Sequence, residues 1–528
     1  MTDITNPQAS GYSEAGASLV RRALRAFRPD SGSPEQDIDR NNQTLRERAR
    51  MLYMSTPLAT SAINTNRTHI VGAGLTLQSA IDRETLGMTE EAAREWQHKA
   101  EMEFRLWADT AWNCDAIGLN NFYDLQQLAL VSWLTSGDVF ALLQHVEPTP
   151  LNPYGLRVHL VEADRVCNPD DQLTFGTVTR IPAGKPGAGH KVFSGVEVNR
   201  TGAVVAYHIC SGYPRHADLA VDDKLTWTRV LARGKRTGLP NVLHIMSCER
   251  PGQYRGVSLL APVIETLLQL RRYTESELIA ALIQSFFTAW IETENGGGDI
   301  PINEVGPGDT GQIQTEQRSE DPNEYEMGPG TVMHLKKGEK VNFGNPNIPT
   351  AGFEAFMRTL ARHIGAGLEE PYDVLVKEFN SSYSASRGAL MEAWEAFKMR
   401  QSWFVSDFCQ PTYEVWLAEA VALGRIKAPG FFVDPRLRKA WCGAKWIGPT
   451  QVSLDPVKEA KAACLRTERG FKSYQQATRE LGGGDWDRNV ETLRLANEQL
   501  QAANTTLTDA GSVPDEADEN NNGGTNNA

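Results

Sequence analysis

The chain has 528 residues, enough to bury a sizeable core in two or more domains. Its net charge of −13 provides no overall positive field, which disfavours a protein that binds nucleic acid through a broad basic surface. The seven cysteines are scattered without a CxxC pair, which disfavours a disulfide scaffold. The sequence shows no apolar leader and no apolar segment long enough to span a membrane, which disfavours secretion and membrane insertion. We therefore expect assembly in the cytoplasm.

The N-terminal segment consists mainly of small and polar residues, apart from a short basic stretch with Arg21, Arg22 and Arg25. We therefore expect residues 1–40 to form a mobile arm.

The pattern becomes helical from Asn41. Apolar spacing predicts a helix over 45–53, and Thr56-Pro57 predicts a cap and a first-turn proline for a second helix towards Ile70. Thr89 and Asn121 are expected to cap helices over 89–107 and 121–134. The first third of the chain is therefore predicted to be mainly helical.

A β-rich unit is predicted after Pro148. Residues 156–161 and 196–198 alternate between apolar and polar side chains, and 199–202 supply a turn before a strand over 203–209. The unit is expected to end with a strand at 242–246.

The longest periodic segment predicts a helix over 258–292, on the order of 50 Å at 1.5 Å per residue. A return helix is expected over 350–367, beginning at Thr350 and stopping at Gly365 and Gly367. Together they predict a helical hairpin with a small, glycine-punctuated module, 293–349, at its tip. Such a rod needs neighbours along its length, which is typical of a stalk or an oligomer wall.

The last third begins with a polar loop over 377–386. A helix over 388–423 is expected to kink at Pro411, because proline removes one backbone hydrogen bond and clashes with the preceding turn. Helices are also predicted over 455–467 and 487–502, followed by an acidic, asparagine-rich tail from 509 that we expect to be disordered.

Motifs for catalysis or cofactor binding are weak. Gly184–Val192 resembles a phosphate loop, but its lysine is displaced and no hydroxyl residue follows, so a flexible loop between strands is the better interpretation. The histidines form no close pair, and His244 and His363 are expected to be packed or hydrogen-bonded rather than metal ligands. The serines of 381–384 lack a GxSxG context. No cofactor and no metal site is predicted.

Five motifs, taken together and in order, resemble the lambda-type portal proteins of tailed bacteriophages. They are Arg255-Gly-Val-Ser, Ile364-Gly-Ala-Gly-Leu-Glu-Glu-Pro-Tyr, Asn380-Ser-Ser-Tyr-Ser-Ala-Ser-Arg, Trp416-Leu and Trp441-Cys-Gly-Ala-Lys-Trp-Ile-Gly. The resemblance covers about 41–489 and leaves both tails outside it.

The resemblance implies a ring, usually of twelve subunits, at one vertex of the capsid, with double-stranded DNA in its channel. It also implies partners: the terminase, the major capsid or scaffold proteins, and the head-completion and tail proteins. The fold class is then α+β: a mainly helical portal fold with a β-rich wing unit, long stem helices, a small clip module and a kinked wing helix. By resemblance the wing is 41–257, the stem 258–292 and 350–367, the clip 293–349, the tunnel loop 368–387, and the kinked wing helix with the C-terminal helical region 388–508, before the tail 509–528.

The resemblance also implies candidate site residues. The tunnel loop would face DNA with Lys377, Asn380, Ser381, Ser382, Tyr383, Ser384 and Arg387. In the clip, Lys336, Lys337 and Lys340 are either a terminase-docking patch or the solvated face of a hairpin, and the sequence leaves both interpretations open.

The main hypothesis is therefore a non-enzymatic portal for DNA packaging and ejection. A hydrolase or nucleotide-driven motor is the rival, but it needs a nucleophile motif or a phosphate loop. A membrane pore is disfavoured by Arg271 and Arg272, which lie midway along the long helix.

Overall fold

The computed structural model describes residues 22–27, 29–169, 178–214, 225–286, 290–293, 339–342, 352–378, 382–451, 456–482 and 484–502. Its contacts define two compact units. The first contains the described residues up to Leu267 and from Ala361 onwards, and the second contains those from Leu268 to Leu360. Helices dominate and the sheets are antiparallel, which confirms the predicted α+β class with mainly helical content.

The helices predicted in the first third are present. Thr89 Oγ1 accepts a hydrogen bond from the Ala92 amide, and Asn121 Oδ1 accepts one from the Asp124 amide, so both caps are confirmed. Thr56 precedes its helix as predicted, but its buried hydroxyl has no hydrogen-bond partner and does not cap it. The helices are α1 (Arg22–Arg25), α2 (Arg40–Ser55), α3 (Pro57–Ile70), α4 (Arg83–Leu86), α5 (Glu90–Ala108), α6 (Ala111–Cys114) and α7 (Phe122–Ser136).

The last residues of the range predicted as a mobile arm, 1–40, are packed in the structure. A π-helical turn, Glu35–Asp39, leads directly into α2, and its Ile38 and Asp39 side chains are buried. Arg250 holds the backbone just before this turn, because its Nη2 donates to the Gly32 carbonyl at 3.0 Å. The packed part of the chain therefore begins by Gly32, while Arg21 lies outside the described residues.

Three sheets belong to the first unit. The strands predicted at 156–161, 196–198, 203–209 and 242–246 are confirmed with small shifts of their ends. The first strand of the β-rich unit was missed, because it follows α7 after a single residue, Gly137. The sheets are β1 (Thr76–Ser79) with β12 (Ala444–Ile447); β3 (Leu156–Glu162), β2 (Asp138–His145) and β9 (Val242–Met246) in that order; and, in sequence order, β4 (Val178–Arg180), β5 (Lys191–Phe193), β6 (Val196–Val198), β7 (Val204–Cys210) and β8 (Trp227–Leu231).

The long helix is shorter than predicted. A 3-10 turn, Ala261–Val263, precedes α8 (Ile264–Phe286), which is 23 residues or roughly 35 Å long. Residues 290–292, predicted as the end of this helix, instead lie in β10 (Trp290–Thr293), which pairs with β11 (Glu339–Asn342).

The return helix is α9 (Phe353–Leu368), and it continues through Gly365 and Gly367 instead of stopping there. Thr350 lies outside the described residues. In the second unit, Tyr273 of α8 stacks on Phe353 of α9 at 5.5 Å between ring centroids, so the two helices pack against each other as predicted.

The last third is helical, with one irregularity. Immediately before Pro411 the helix widens into a π-helical turn, Val405–Cys409, and the Gln410 amide donates to the Val405 carbonyl. This wider turn lies where proline removes a backbone donor, so a local change of hydrogen-bond register occurs at the position predicted for the kink. A helix at 474–480 was missed. The helices are α10 (Tyr372–Val376), α11 (Tyr383–Phe404), α12 (Gln410–Ala422), α13 (Pro435–Trp441), α14 (Pro456–Glu468), α15 (Tyr474–Glu480) and α16 (Trp486–Ala502); residues from 503 onwards, including the predicted tail, lie outside the described part.

An aromatic core joins the beginning and the end of the chain. Phe104 of α5 packs edge-to-face on Trp416 of α12 at 5.1 Å, and Phe122 of α7 stacks on Phe408 at 5.6 Å. All four rings are fully buried. Since these contacts bring together residues about 300 positions apart, the core of the first unit forms only when both of these segments are in place.

Candidate functional site

The motif at the end of α9 forms a close backbone contact. The Glu370 amide donates to the Gly365 carbonyl at 2.9 Å, and a Cβ on Gly365 would lie 2.3 Å from the Glu370 carbonyl oxygen. Glu369 has a left-handed backbone (φ 59°), which turns the chain out of α9. Gly365 is therefore required for this close approach and not for ending the helix.

A buried ionic cluster follows directly. Glu370 is 2% exposed, and burial raises the pKa of its carboxyl to about 8, although nearby Arg400 acts to lower it. Asn66 donates its side-chain amide to Glu370 Oε1 and accepts from Arg400 Nη1 at 2.8 Å. Arg400 Nη2 also donates to Glu369 Oε2 at 2.8 Å. The cluster thereby fixes α3, α11 and the end of α9 to one another.

The short helix α10 rests on α3 and leads to the first predicted DNA-facing residue. Ser61 Oγ donates to the Leu375 carbonyl at 2.8 Å, and the Leu375 side chain is fully buried. Lys377 ends α10 in a left-handed conformation (φ 61°), with its side chain exposed. Burial of His69, together with the positive charge of Lys377, lowers the pKa of that histidine. Lys377 is therefore an exposed cation held on a fixed backbone.

The predicted polar loop is shorter than 377–386. Helix α11 begins at Tyr383, so the last four residues of that range are helical, and Tyr383 and Ser384 lie in its first turn. Ser382 precedes the helix and is exposed. Asn380 and Ser381 lie outside the described residues, as do the side chains of Tyr383 and Ser384.

Arg387 lies on the second turn of α11. Its Nη2 is 3.4 Å from Glu459 Oε1 on α14. The structure therefore gives the two predicted cations different surroundings: Arg387 has a carboxylate partner, and Lys377 has none in the described part of the chain.

The three clip lysines are only partly within the described structure. Lys340 lies in β11, paired in register with Glu292 of β10, and its side chain is not described. Lys336 and Lys337 lie outside the described residues.

A second buried cluster, which sequence reasoning did not identify, holds the Arg255-Gly256 motif. Asp138, at the start of β2, accepts from Arg255 Nε at 2.6 Å, from Arg46 Nη2 at 3.3 Å and from the Gly256 amide at 3.0 Å. A Cβ on Gly256 would lie 1.9 Å from the Gly137 carbonyl oxygen, so only glycine fits there. The available signal was an aspartate beginning an otherwise apolar strand, because such a buried charge needs a cationic partner.

The glycine-rich segment before β5 also has a structural explanation. It is a loop between β4 and β5, as predicted, and a Cβ on Gly187 would lie 2.3 Å from Glu197 Oε1. Glu197 is fully buried and pairs with Arg229 Nε at 2.6 Å and His190 Nδ1 at 2.7 Å. The segment therefore closes over a buried carboxylate.

The two histidines singled out from the sequence differ. His244 stacks on Phe140 at 4.2 Å and lies 3.4 Å from Asp138 Oδ2, so the packed interpretation is confirmed. His363 is exposed on α9, so packing was the wrong prediction for it.

Within the described ranges, no group of three or more His, Cys, Asp or Glu side chains is arranged to bind a metal ion. No described helix combines the length and apolar character needed to cross a bilayer. The seven cysteines are unpaired.

Comparisons with known proteins place these motifs in a family context. The family model described as phage portal protein, lambda family, matches residues 21–401. Portal protein B of Escherichia phage lambda is 24% identical over 488 residues, covering 90% of this chain and 87% of the relative. The portal protein of Escherichia phage N15 is 24% identical over 505 residues, covering 93% and 91%.

Solved structures give more distant similarities. A chain from the neck of a native gene transfer agent particle, computed with C12 symmetry, has a TM-score of 0.42 at 13% identity, covering 87% of this chain and 97% of that chain. An HK97-family phage portal protein from Corynebacterium diphtheriae has a TM-score of 0.28 at 11% identity, covering 72% and 92%.

Proposed function

The chain belongs to the lambda family of phage portal proteins, and we propose that it forms a closed ring of about twelve subunits at one vertex of the capsid. DNA enters the head through the channel of this ring during packaging and leaves through it during ejection. The ring assembles in the host cytoplasm, becomes part of the virion and works without catalysis of its own. The observation that carries the proposal is the family match over residues 21–401.

An exposed apolar stripe on α8 supports ring formation. Leu278, Ile279 and Leu282 are 66%, 57% and 60% exposed, and their spacing puts them on one helix face. Exposed apolar patches of this kind mark interaction surfaces. A head-to-tail neighbour in a ring would cover the stripe in every subunit, since each interface repeats around the axis.

The charge of the chain suits a conduit. Each phosphate contact adds affinity through counterion release, so a channel lined with many lysines would hold DNA too tightly to let it move. A net charge of −13 avoids that. Lys377, repeated around a ring, would supply one belt of positive charge that resists backward slippage of DNA.

The clip is the proposed docking site for the terminase, because a module at the tip of a helical hairpin can vary without disturbing the core. Other surfaces would bind the capsid or scaffold proteins and the head-completion and tail proteins. Changing Lys336, Lys337 and Lys340 to glutamate should weaken terminase binding while rings persist. Unchanged binding would mean that these lysines are solvated surface residues.

Ring formation is tested by native mass spectrometry and negative-stain imaging of the purified full chain. We expect closed rings with a mass near twelve times 58.3 kDa. Changing Leu278 and Leu282 together to glutamate should dissociate them, whereas the same double change at exposed Leu119 and Leu151 serves as the control. A wild-type protein that stays a 58.3 kDa monomer at every salt concentration would refute the ring.

The conduit is tested at Lys377 in assembled particles. Lys377→Asn removes the charge and keeps a residue type that tolerates the left-handed backbone. Rings should persist while retention of packaged DNA falls. Arg387→Gln, whose charge is already paired with Glu459, should have a smaller effect. If Lys377→Asn packages and retains DNA as well as the wild type, the segment 377–386 only connects two helices and does not act on DNA.

A further inference from the structure

A basic cavity of about 510 Å³ lies in the first unit, between α11, β12, α14 and α15. Its lining includes five arginine or lysine residues but only two carboxylates, although the whole chain has more acidic than basic residues. Trp394 and Trp446 contribute apolar surface. The charge of this lining is therefore opposite in sign to the net charge of the protein.

The two carboxylates do not balance the cations. Glu459 pairs with Arg387, and Glu480 pairs with Lys472. Arg466 and Arg479 have no carboxylate partner among the residues that the structure describes.

The excess positive charge also affects Lys445 on β12, one of the elements that bound the cavity. Lys445 on β12 is partly buried, and its desolvation together with the charge of Arg479 lowers its pKa. The positive charges of Lys445 and Arg479 therefore repel each other, and the carboxylates nearby do not fully neutralise them. An anionic ligand would relieve this repulsion.

One segment of the chain has the matching charge. Residues 503–528 contain five acidic side chains and no basic one; the acidic residues are Asp509, Asp515, Glu516, Asp518 and Glu519. The segment follows α16, which begins at Trp486, and Trp486 stacks at 4.7 Å on Tyr474 of α15, the helix that lines the cavity.

The length of the segment allows it to reach the cavity. Helix α16 has 17 residues and is roughly 25 Å long. An extended chain covers about 3.3 Å per residue, so the twelve or so residues between Ala502 and the acidic run span up to roughly 40 Å. The segment can therefore return along the full length of α16.

We propose that the acidic segment 509–519 binds in this basic cavity, with its carboxylates pairing with Arg466 and Arg479. The contact is electrostatic and weakens with salt. If the proposed function holds, its consequence is that the cavity is screened from DNA phosphate, which would otherwise compete for the same cations. The contact itself needs one subunit and no ring, so it is tested independently of the proposed function.

Zero-length carbodiimide cross-linking of the full-length protein tests the contact directly, because it joins carboxylates to lysines in contact. Mass spectrometry should find links from the 515–519 carboxylates to Lys398 or Lys472 in the cavity. These links should disappear at high salt. Links only to lysines outside the cavity, or none from this segment, would overturn the proposal.

A peptide competition measures the affinity. In the full chain, the five acidic residues are changed to their amides, and a labelled peptide of residues 507–521 is added. The peptide should bind this neutral-tail variant at least tenfold more tightly than the wild type, whose own tethered segment competes at high effective concentration. Equal binding to both proteins would overturn the proposal.

The cavity residues are tested in the same neutral-tail background. Adding Arg466→Glu and Arg479→Glu should weaken peptide binding at least tenfold. Adding Arg180→Glu and Arg200→Glu, two exposed changes in and beside the five-stranded sheet that alter the net charge by the same amount, should leave it unchanged. If both sets bind the peptide equally well, the cavity is not the binding site.

Discussion

Two buried carboxylates in the first unit show how partners, rather than burial, decide the state of a charge. Asp138 is 0% exposed and Glu370 is 2% exposed. Asp138 accepts from two arginines, a histidine and a backbone amide. Glu370 accepts from the amide of Asn66, and its second carboxylate oxygen has no hydrogen-bond partner.

The pKa values move in opposite directions as a result. Burial alone would raise the pKa of Asp138, but the charges of Arg255 and Arg46 and the bonds from His244 and Arg255 hold it well below its ordinary value. At Glu370, burial outweighs Arg400 and raises the pKa to about 8. At neutral pH Asp138 is therefore ionised and Glu370 is mostly protonated, so the two sites respond differently to loss of a partner.

The largest effect is expected at Arg255, the main partner of Asp138. Arg255→Met leaves a buried carboxylate with weaker compensation and removes the donor to the Val166 and Ala163 carbonyls. We expect the free energy of unfolding to fall by about 3–5 kcal/mol in chemical denaturation.

The matched control is Arg250→Met, which breaks a half-exposed pair and should cost less than about 1 kcal/mol. Equal losses for the two variants would mean that the buried cluster contributes no more than a surface contact, and the comparison would fail.

The second effect is a change in how steeply the free energy of unfolding depends on pH. The pKa of Glu370 is raised on folding, so its contribution to stability is complete below about pH 4.5 and is lost as pH rises towards 8. Glu370→Gln cannot lose a proton. Relative to this variant, the wild type should lose stability by up to about 1.4 kcal/mol per pH unit across that range.

Asp138 is expected to give the opposite pH dependence of the free energy of unfolding, because its pKa is lowered on folding. Its contribution is present above pH 3.8 and is lost as pH falls below that value. Unfolding midpoints measured from pH 3 to 9 check both slopes. A difference between wild type and Glu370→Gln that does not vary between pH 5 and 8 would contradict the raised pKa.

The smallest effect is expected at His244. Its pKa is lowered, chiefly by burial, so at neutral pH it contributes a neutral hydrogen bond to Asp138. His244→Phe keeps the stacking on Phe140 and removes that bond. We expect the free energy of unfolding, measured by chemical denaturation, to fall by about 1 kcal/mol. A loss as large as that of Arg255→Met would contradict the expectation that His244 contributes a single neutral hydrogen bond.

Local patterns in the sequence were sufficient for much of the first third. The caps at Thr89 and Asn121 and the first-turn position of Pro57 were found because the residues that decide them are within four positions of each other. Strand β2 and the beginning of α11 at Tyr383 were missed, since each depends on what packs beside it.

The motifs that carry the family resemblance determined what kind of protein this is, since they can be recognised from the order of residues alone. Their physical role was decided only by the tertiary structure. Gly256 lies against Gly137 and Gly365 against Glu370, while Arg255 meets Asp138, 117 positions away, and Arg400 meets Asn66, 334 positions away. Close backbone approach and charge compensation act across space, and separations of this size leave no periodic signal along the chain.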